Sequence, residues 1–242
     1  MHRFYTDKTE GNIAYISGPD AAHITRVLRI SAGGEIEVCS NGMRYRGVVL
    51  EAGRDIVKAE LYDGEEMDTE APVAITLYQG LPKQGKMEVI IQKCVELGAF
   101  AIVPVEFSRC VSKGGERGKS KAERWNRVAY EAAKQCGRAV IPEVYDIIRP
   151  DDAIRMMAGH DLIIAAWEQA KMPFAGALEC PAPKSVGLVI GPEGGLEQSE
   201  AEALERAGAK LVTLGPRILR TETAGMAAVS VITYHYGGWG GI

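Results

Sequence analysis

The chain has 242 residues, of which 46% are hydrophobic and 25% are charged. This length and composition are typical of a globular protein with one large domain or two smaller ones, and they exclude a disordered or fibrous chain. The net charge of −4 excludes a uniformly basic nucleic-acid-binding protein. A local basic segment is still present, because Arg109–Arg127 contains seven basic and two acidic residues.

The cysteines and histidines predict neither a disulfide framework nor a metal site. The five cysteines are scattered without a C-x-x-C pair, and the four histidines lie far apart. We therefore expect free thiols, no bound metal and a reducing, cytoplasmic environment. No stretch is apolar enough to span a membrane, and the polar start of the chain predicts no signal peptide.

The first part of the chain consists of short alternating segments that predict a small β-barrel in residues 1–70. One short helix fits Pro19–Leu28, with a proline in its first turn. The acidic segment Asp63–Pro72 predicts an interdomain linker. The strands predicted here are Asn12–Ser17, Glu35–Cys39, Met43–Glu51 and Asp55–Tyr62.

Residues 71–242 alternate between apolar runs and helical patterns, which predicts a parallel sheet covered by helices on both faces. The predicted strands are Val73–Tyr78, Ala101–Val105, Leu162–Ala166, Val186–Ile190 and Leu211–Leu214. The predicted helices are Gln84–Leu97, Lys121–Cys136, Asp151–Ala158, Glu197–Ala207 and Thr223–Tyr236. The segment Ser120–Glu123 matches a capping box at the start of the helix Lys121–Cys136.

Two glycine-containing loops follow predicted strands of this sheet. Gly191–Gly195 surrounds Glu193, which we expect to be buried, and Leu214–Ala224 carries two arginines into a helix that Thr221 or Thr223 can cap. Ligands of open α/β sheets bind at the carboxyl ends of the strands. We therefore expect the two loops to enclose one flat ligand such as an adenine ring.

A third segment, Gly80–Lys86, matches the phosphate-loop pattern G-x-x-x-x-G-K. Met87 stands where that loop needs a hydroxyl for magnesium, and Pro82 removes a backbone N–H from the cradle. We therefore interpret the match as chance and the segment as a solvated loop. Hydrolysis of a nucleoside triphosphate is kept as a weak alternative.

Several motifs together resemble the RsmE family of 16S rRNA uridine-N3 methyltransferases, which belongs to the SPOUT superfamily. The pair formed by Gly191–Gly195 and Leu214–Ala224 is far more specific than either motif alone. The motifs that carry the resemblance span nearly the whole chain; they are His23–Arg29, Ile91–Lys93, Glu96–Gly98, Arg124–Trp125, Glu131–Ala133, Gln135–Arg138, Gly191–Gly195 and Leu214–Ala224.

The resemblance implies an α/β fold with an N-terminal PUA-like barrel and a C-terminal SPOUT domain that contains a parallel sheet and a deep trefoil knot. It also implies a homodimer that binds S-adenosyl-L-methionine and methylates uracil N3 in 16S rRNA, either as free RNA or in the small ribosomal subunit. A non-catalytic RNA-binding or ribosome-assembly protein is the main alternative. The intact glycine loops count against that alternative.

The resemblance and the loop chemistry together nominate the site residues. Arg220, Arg217 and Glu193 are the catalytic candidates: the arginines to stabilise a uracil oxygen, and Glu193 to accept a proton or to hold an arginine. The cofactor-binding candidates are Ile190, Gly191, Gly194, Leu214, Gly215, Ile218, Leu219, Thr223 and Ala224. The RNA-binding candidates are Arg26, Arg29, Lys93, Arg109, Lys113, Arg124 and Arg138.

Overall fold

The computed structural model describes residues 1–83, 85–112 and 118–239, with the backbone alone for 118–120. The chain forms two compact units. Unit 1 consists of Met1–Glu70 and Lys134–Val140, and unit 2 consists of Ala71–Ala133 and Ile141–Ile242. The class is α/β, as the sequence predicted. No helix among the described residues is both long and apolar enough to cross a membrane.

Unit 1 is built on a sheet of six strands in the order β1-β4-β5-β6-β3-β2, counted over the described residues. Only β1 and β4 are parallel, and the other neighbours are antiparallel. The strands are β1 (Arg3–Tyr5), β2 (Thr9–Glu10), β3 (Ile13–Ser17), β4 (Glu35–Ser40), β5 (Met43–Ala52) and β6 (Ile56–Glu66).

The alternating pattern in these strands places every second side chain in the core of unit 1. Ala14 and Ile16 of β3 are buried, and so are Val57 and Ala59 of β6. β6 continues to Glu66, so the predicted linker at Asp63–Pro72 is wrong for its first four residues. Pairing with β5 extends the strand there, since Glu65 and Glu66 face Arg44 and Met43.

A helical segment of unit 1 connects β3 and β4, in the position where one helix was predicted. It consists of α1 (Pro19–Ala22) followed directly by a π-helix (His23–Val27). Ile24 anchors the segment in the core of unit 1, whereas Arg26 is exposed. The segment ends near Arg29, which has a φ of 54° although it is not a glycine. Both the π-helix and the left-handed arginine are conformations that recur at functional sites.

Unit 2 contains a parallel sheet of seven strands in the order β11-β13-β10-β12-β7-β8-β9, again counted over the described residues. The strands are β7 (Ala74–Gly80), β8 (Ala99–Val105), β9 (Glu143–Val144), β10 (Leu162–Ala166), β11 (Met172–Pro173), β12 (Ser185–Ile190) and β13 (Lys210–Thr213). The central strands β7 and β12 are buried along nearly their whole length. A sheet buried on both faces explains why their sequences read as continuous apolar runs.

Helices cover this sheet. They are α2 (Lys86–Glu96), α3 (Gly118–Cys136), α4 (Pro150–Met157), α5 (Phe174–Leu178), α6 (Gln198–Arg206) and α7 (Thr221–His235). In α2 the buried residues recur at helical spacing from Met87 to Val95, and Gly98 follows with a φ of 97°. α7 packs against α2, β7 and β12.

Most boundaries of the predicted elements are confirmed within a few residues, with two kinds of exception. α3 begins at Gly118 rather than at Lys121, so Ser120 lies inside the helix and the predicted capping box is wrong. The short strands β1, β2, β9 and β11 and the helix α5 were not predicted. Elements of two to five residues are too short for a hydrophobic period to be recognised.

The centre of the unit 2 sheet is tightly packed around Tyr78 and His160. The Tyr78 hydroxyl lies 2.9 Å from Nε2 of His160. Burial raises the pKa of Tyr78 to about 12 and lowers the pKa of His160, so a protonated phenol meets a neutral imidazole. Gly187 of β12 leaves the space for this pair, because a Cβ atom there would lie 2.7 Å from Cδ2 of His160.

We predict that Gly187→Ala lowers the free energy of unfolding by about 1–3 kcal/mol, since a methyl group forced into a packed core must displace its neighbours. Urea denaturation measures the difference. Gly159→Ala is the matched control, because its Cβ would meet only the Met156 carbonyl oxygen at 3.8 Å. Equal stabilities of the two variants would contradict the prediction.

Candidate active site

Three loops at the carboxyl ends of adjacent strands of unit 2 enclose a cavity of about 560 Å³. The strands are β13, β10 and β12, which are neighbours in the sheet. Residues 166–168, 190–196, 213–215 and 217–221 supply most of the lining, and Lys86 and Ala224 complete it. The volume is within the usual range for a small-molecule site.

The structure brings together nearly all residues that the sequence nominated for catalysis and cofactor binding. Thr223 is the exception: it is exposed and does not line the cavity. It lies two residues after Thr221 on α7, and a helix turns that position away from the face shared by Thr221 and Ala224. The nominated residues that line the cavity are Ile190, Gly191, Glu193, Gly194, Leu214, Gly215, Arg217, Ile218, Leu219, Arg220 and Ala224.

The loop after β12 is compact because several of its atoms approach other backbone atoms closely. The Gly195 N–H donates to the Pro192 carbonyl at 2.9 Å, which closes a turn, and Gly195 has a φ of 70°. A Cβ atom on Gly80, at the end of β7, would lie 2.5 Å from the Pro192 nitrogen. Only a glycine at position 80 therefore permits the two strand ends to come this close.

Hydrogen bonds from Thr221 connect this loop to the start of α7. The Thr221 hydroxyl donates to the Gly191 carbonyl at 2.6 Å and accepts from the Gln79 side-chain amide at 2.8 Å. Arg220 occupies the N-cap position of α7 and makes no side-chain cap bond. The prediction that Thr221 or Thr223 caps the helix is therefore wrong. Thr221 lies inside the first turn, where its hydroxyl reaches the neighbouring loop instead.

The loop after β13 presents an open glycine and an exposed apolar side chain. Gly215 has a φ of 111°, and a Cβ atom there would meet no atom within 4 Å. The Thr213 hydroxyl lies 3.3 Å from both the nitrogen and the oxygen of Gly215, which holds the turn. Ile218 is 83% exposed between Arg217 and Arg220. A ligand in the cavity would therefore meet backbone atoms and aliphatic side chains in this loop.

Glu193 lies in an ion-pair cluster that the sequence analysis did not foresee. Lys86 Nζ is 3.2 Å from both Glu193 Oε1 and Glu222 Oε2, and the Lys83 backbone N–H donates to Glu193 at 3.1 Å. Burial alone raises the pKa of Glu193, but the Lys83 N–H and the Lys86 ammonium outweigh it, and the pKa is lowered. The pKa of Glu222 is lowered in the same way, against the effect of burial.

Two expectations about this region are corrected. Glu193 is not fully buried among its glycines, since the residue as a whole is exposed and its side chain is 22% exposed. Its charged partner is Lys86 rather than an arginine. The segment Gly80–Lys86 is not simply a solvated loop, since Leu81 and Pro82 are buried and Lys86 lines the cavity. Lys86 is the first residue of α2, the helix that follows β7 in the chain, so it lies at the same sheet edge as the glycine loops.

Sequence reasoning also missed the loop after β10, where Trp167 and Glu168 line the cavity. A signal was present, because β10 was predicted correctly and its carboxyl end belongs to the same edge of the sheet. The segment lacks the glycines that drew attention to the other two loops. Its proximity to them follows from the strand order, which places β10 between β13 and β12.

Arg109 was nominated to bind RNA, but its guanidinium contacts the loop after β12. It donates to the carbonyls of Gly194 and Leu196, at 3.2 and 3.4 Å, and lies 3.8 Å from the Glu197 carboxylate. A Cβ atom on Gly194 would lie 2.9 Å from Cβ of Arg109. Loop carbonyls without strand partners are strong acceptors, and this arginine is within reach of two of them.

Arg138 of unit 1 was also predicted to bind RNA, but its side chain contacts the protein itself. Its side chain is 6% exposed and forms an ion pair with Glu70, with a second hydrogen bond at 3.3 Å. A buried guanidinium needs such a carboxylate to offset the loss of water. The structure therefore assigns Arg138 to the packing of unit 1, and its guanidinium is not presented to RNA.

The remaining RNA-binding candidates differ in what surrounds them. Arg26 and Arg29 are exposed and make no ion pair within the described part of the chain. Lys93 pairs with Glu96, and Arg124 pairs with Glu88 while its side chain stays 69% exposed. Lys113 lies outside the described residues.

Among the residues that the structure describes, no group of acidic, cysteine or histidine side chains is arranged to hold a metal ion.

Comparison with known proteins identifies the family. Residues 69–233 match the model of the RNA methyltransferase domain. Ribosomal RNA small subunit methyltransferase E of Bacillus subtilis (strain 168) is 35% identical over 247 aligned residues, which cover 97% of this chain and 96% of that protein.

Two solved structures are similar over nearly the full length. Ribosomal RNA small subunit methyltransferase E of Neisseria gonorrhoeae, bound to S-adenosyl methionine, superimposes with a TM-score of 0.85 at 28% identity over 98% of both chains. A methyltransferase of Legionella pneumophila in complex with SAM gives a TM-score of 0.84 at 29% identity over 96% of both chains. The chain therefore belongs to the RNA methyltransferase family, in the group of ribosomal RNA small subunit methyltransferase E.

Proposed function

We propose that this protein transfers the methyl group of S-adenosyl-L-methionine to N3 of a uracil in 16S rRNA. The observation that carries the proposal is the cavity that the loops after β13, β10 and β12 enclose. Membership of the methyltransferase group supports the reaction class. The relative from Neisseria gonorrhoeae, which binds S-adenosyl methionine, supports the cofactor.

The residues of the cavity fit the adenosyl group. Gly215 lines the cavity and leaves room there, because a Cβ atom on it would meet no atom within 4 Å. Apolar surface for a flat ring comes from Ile190, Leu214, Leu219 and Ala224. Trp167 contributes a buried indole nitrogen that has no acceptor within the part of the chain that the structure describes. The bound cofactor supplies a methyl group already activated by the positive sulfonium, so the main task of these residues is to bind and orient it.

The arginines at the rim of the cavity are proposed to act on the uracil. Arg217 and Arg220 are both exposed and line the cavity on either side of Ile218. Uracil N3 is flanked by two carbonyls, so loss of its proton places negative charge on their oxygens, which a guanidinium can stabilise. N3 lies on the pairing edge of the base, and the uridine must therefore be unpaired or extruded to react.

Glu193 is proposed to act through Lys86 rather than as a general base. Its lowered pKa makes the carboxylate a weak proton acceptor, and Lys86 and the Lys83 N–H already occupy it. Together with Glu222 it positions the Lys86 ammonium beside the cavity. Water is proposed to accept the N3 proton.

RNA binding is proposed for exposed basic residues of each unit. In unit 1 these are Arg26 in the π-helix and Arg29 in its left-handed backbone conformation, both exposed and without an ion pair among the described residues. In unit 2 they are Lys93 and Arg124, which remain partly exposed beside their carboxylates. Such groups bind phosphates without reading the base sequence.

The finer architecture is proposed from the resemblance together with features of the structure. The sheet of unit 1 is proposed to be the PUA-like barrel, with Thr6 bridging its ends through a bond from its hydroxyl to the Tyr15 carbonyl at 2.7 Å. A trefoil knot is proposed in unit 2, and the hydrogen bond from Thr221 to Gly191 supports it, because it joins the start of α7 to the loop after β12. The boundary between the domains is proposed at residues 70 and 71.

A homodimer is proposed because α7 is apolar on its outer side as well as its inner side. Val231 and Tyr234 are 44% and 66% exposed, and Ile218 near the start of the helix is 83% exposed. Exposed apolar side chains on one helix are typical of a surface that a second copy covers. A cytoplasmic location is proposed from the ribosomal substrate and from cysteines that are all free.

The alternatives receive less support from the site. For nucleotide hydrolysis, Lys86 would have to bind phosphate, but it is neutralised by Glu193 and Glu222, whose charges repel a triphosphate. A non-catalytic RNA-binding or ribosome-assembly protein would not need an intact cavity flanked by two exposed arginines. We therefore retain methyl transfer as the proposed activity.

Calorimetric titration separates these functions. We predict that the purified protein binds S-adenosyl-L-methionine and shows no heat of binding with ATP, because Lys86, the lysine of the phosphate-loop match, is already paired with Glu193 and Glu222. Absence of cofactor binding by the folded protein at millimolar concentration would refute the proposed function. Binding of ATP alone would favour the hydrolase.

Arg220→Ala tests the substrate side of the site. We predict that transfer of labelled methyl groups to 16S rRNA or small subunits falls by about 10²–10³-fold, the effect of removing one donor to a developing oxyanion, while cofactor affinity is kept. Arg155→Ala, on the exposed surface of α4, is the control. Mass-spectrometric mapping locates the modified base. Lost cofactor affinity would instead place Arg220 in the wall of the cofactor site.

Lys86→Met tests the ion-pair cluster. We predict that the pKa values of Glu193 and Glu222 rise, because the ammonium that favours their ionised forms is removed. In the unchanged protein these lowered pKa values contribute stability above the unfolded-state value of about 4.3, and this contribution is lost as the pH falls through the folded-state values. The variant should therefore lose less stability on acidification.

Carbon-13 NMR titration of the glutamate carboxyl groups and urea denaturation at several pH values measure both effects. Lys58→Met removes the partner of Glu51 on unit 1 and serves as the control. Unchanged titration of Glu193 and Glu222 in Lys86→Met would contradict the role assigned to the ammonium.

A further inference from the structure

Two neighbouring residues that line the cavity, both in the loop after β10, have hydrogen-bonding groups without a partner in the described ranges of the chain. The Trp167 backbone is fixed, since its N–H donates to the Val212 carbonyl at 2.9 Å and its carbonyl accepts from Ala170 at 3.1 Å. Its indole nitrogen is buried and has no partner among the described residues. A buried N–H without an acceptor costs stability unless a ligand or water supplies one.

Glu168 differs from the other carboxylates that line or adjoin the cavity. Glu193 and Glu222 share the Lys86 ammonium, whereas Glu168 makes no ion pair or hydrogen bond within the described part of the chain. Its two oxygens each lie 3.2 Å from the position that a Cβ atom on Gly195 would take. The carboxylate therefore lies over the bare face of Gly195, with both oxygens available to one ligand.

We propose that Glu168 binds the ribose diol of the adenosyl group, with one carboxylate oxygen accepting from each hydroxyl and Trp167 donating to a hydroxyl oxygen. This inference rests on the proposed function. It makes Glu168 and Trp167 specificity-determining residues for a cofactor with both hydroxyls.

Hydroxyl groups fit this pair because they donate and accept at the same time. An ammonium group can donate to Glu168 but cannot accept from Trp167. A carboxylate can accept from Trp167 but repels Glu168. Two adjacent hydroxyls also match two oxygens of one carboxylate, and the adenosyl group contains one such diol. The methionine end of the cofactor is therefore the less suitable partner.

The proposal also explains why position 195 requires a glycine beyond its positive φ. A Cβ atom 3.2 Å from both oxygens would be closer than ordinary van der Waals contact and would displace the carboxylate by a few tenths of an ångström. The loops after β12 and β10 would thus cooperate, since Gly195 leaves the space in which Glu168 is oriented.

The test compares three ligands by calorimetry: S-adenosylhomocysteine, its 2′,3′-dideoxy analogue and its analogue without the amino group. For the unchanged protein we expect the dideoxy analogue to bind about tenfold to a hundredfold more weakly, as for lost hydrogen bonds to a charged group. In Glu168→Gln we expect this ratio to shrink to severalfold. In Trp167→Phe we expect a severalfold loss for the ligand with both hydroxyls.

Glu179→Gln is the matched control, because it removes the same charge from an exposed glutamate that does not line the cavity. Thermal melting verifies that each variant is folded. An unchanged dideoxy ratio in Glu168→Gln would overturn the proposal while leaving the function intact. A selective effect on the analogue without the amino group would overturn it as well, in favour of the methionine end. If the unchanged protein binds no S-adenosylhomocysteine, the proposed function itself fails.

Discussion

The site depends on the hydrogen bonds of the Thr221 hydroxyl, which connect three elements that are distant in sequence. The hydroxyl accepts from Gln79 at the end of β7 and donates to Gly191 after β12, and Thr221 itself begins α7. The groups are buried or partly buried, so removal of one partner would leave a polar group unsatisfied. The close approach of Gly80 to Pro192 works in the same direction. Backbone groups and the neutral side chains of Gln79 and Thr221 therefore fix the loop after β12 relative to β7 and α7.

The charged residues of the site fall into two groups: some are paired within the protein, and others are exposed at the rim of the cavity. Lys86 neutralises Glu193 and Glu222, and Arg109 satisfies carbonyls of the loop after β12, so these residues support the protein itself. Arg217 and Arg220 at the rim remain exposed. Under the proposed function, the interior would hold the cofactor with few charges, and the cations would face a polyanionic substrate. A chain of net charge −4 can work on RNA in this way because only the local charge matters.

The two units illustrate how the same residue type acquires different roles. Arg26 and Arg29 are held by unusual backbone conformations and stay exposed, whereas Arg138 of the same unit is buried against Glu70. All three belong to motifs that carry the family resemblance. A motif thus marks residues that matter without distinguishing a packing residue from one that can contact a ligand.

The sequence by itself determined the α/β class, the long strands and helices, and the two glycine loops at one edge of the sheet, because period and glycine placement are local signals. It did not determine the part played by Lys86, Trp167 and Glu168. Their meeting depends on the strand order, which places β10 between β13 and β12 and β7 beside β12. The sequence also did not determine which carboxylates are paired with a lysine and which arginines are buried. Those outcomes depend on distances between side chains that only the tertiary structure fixes.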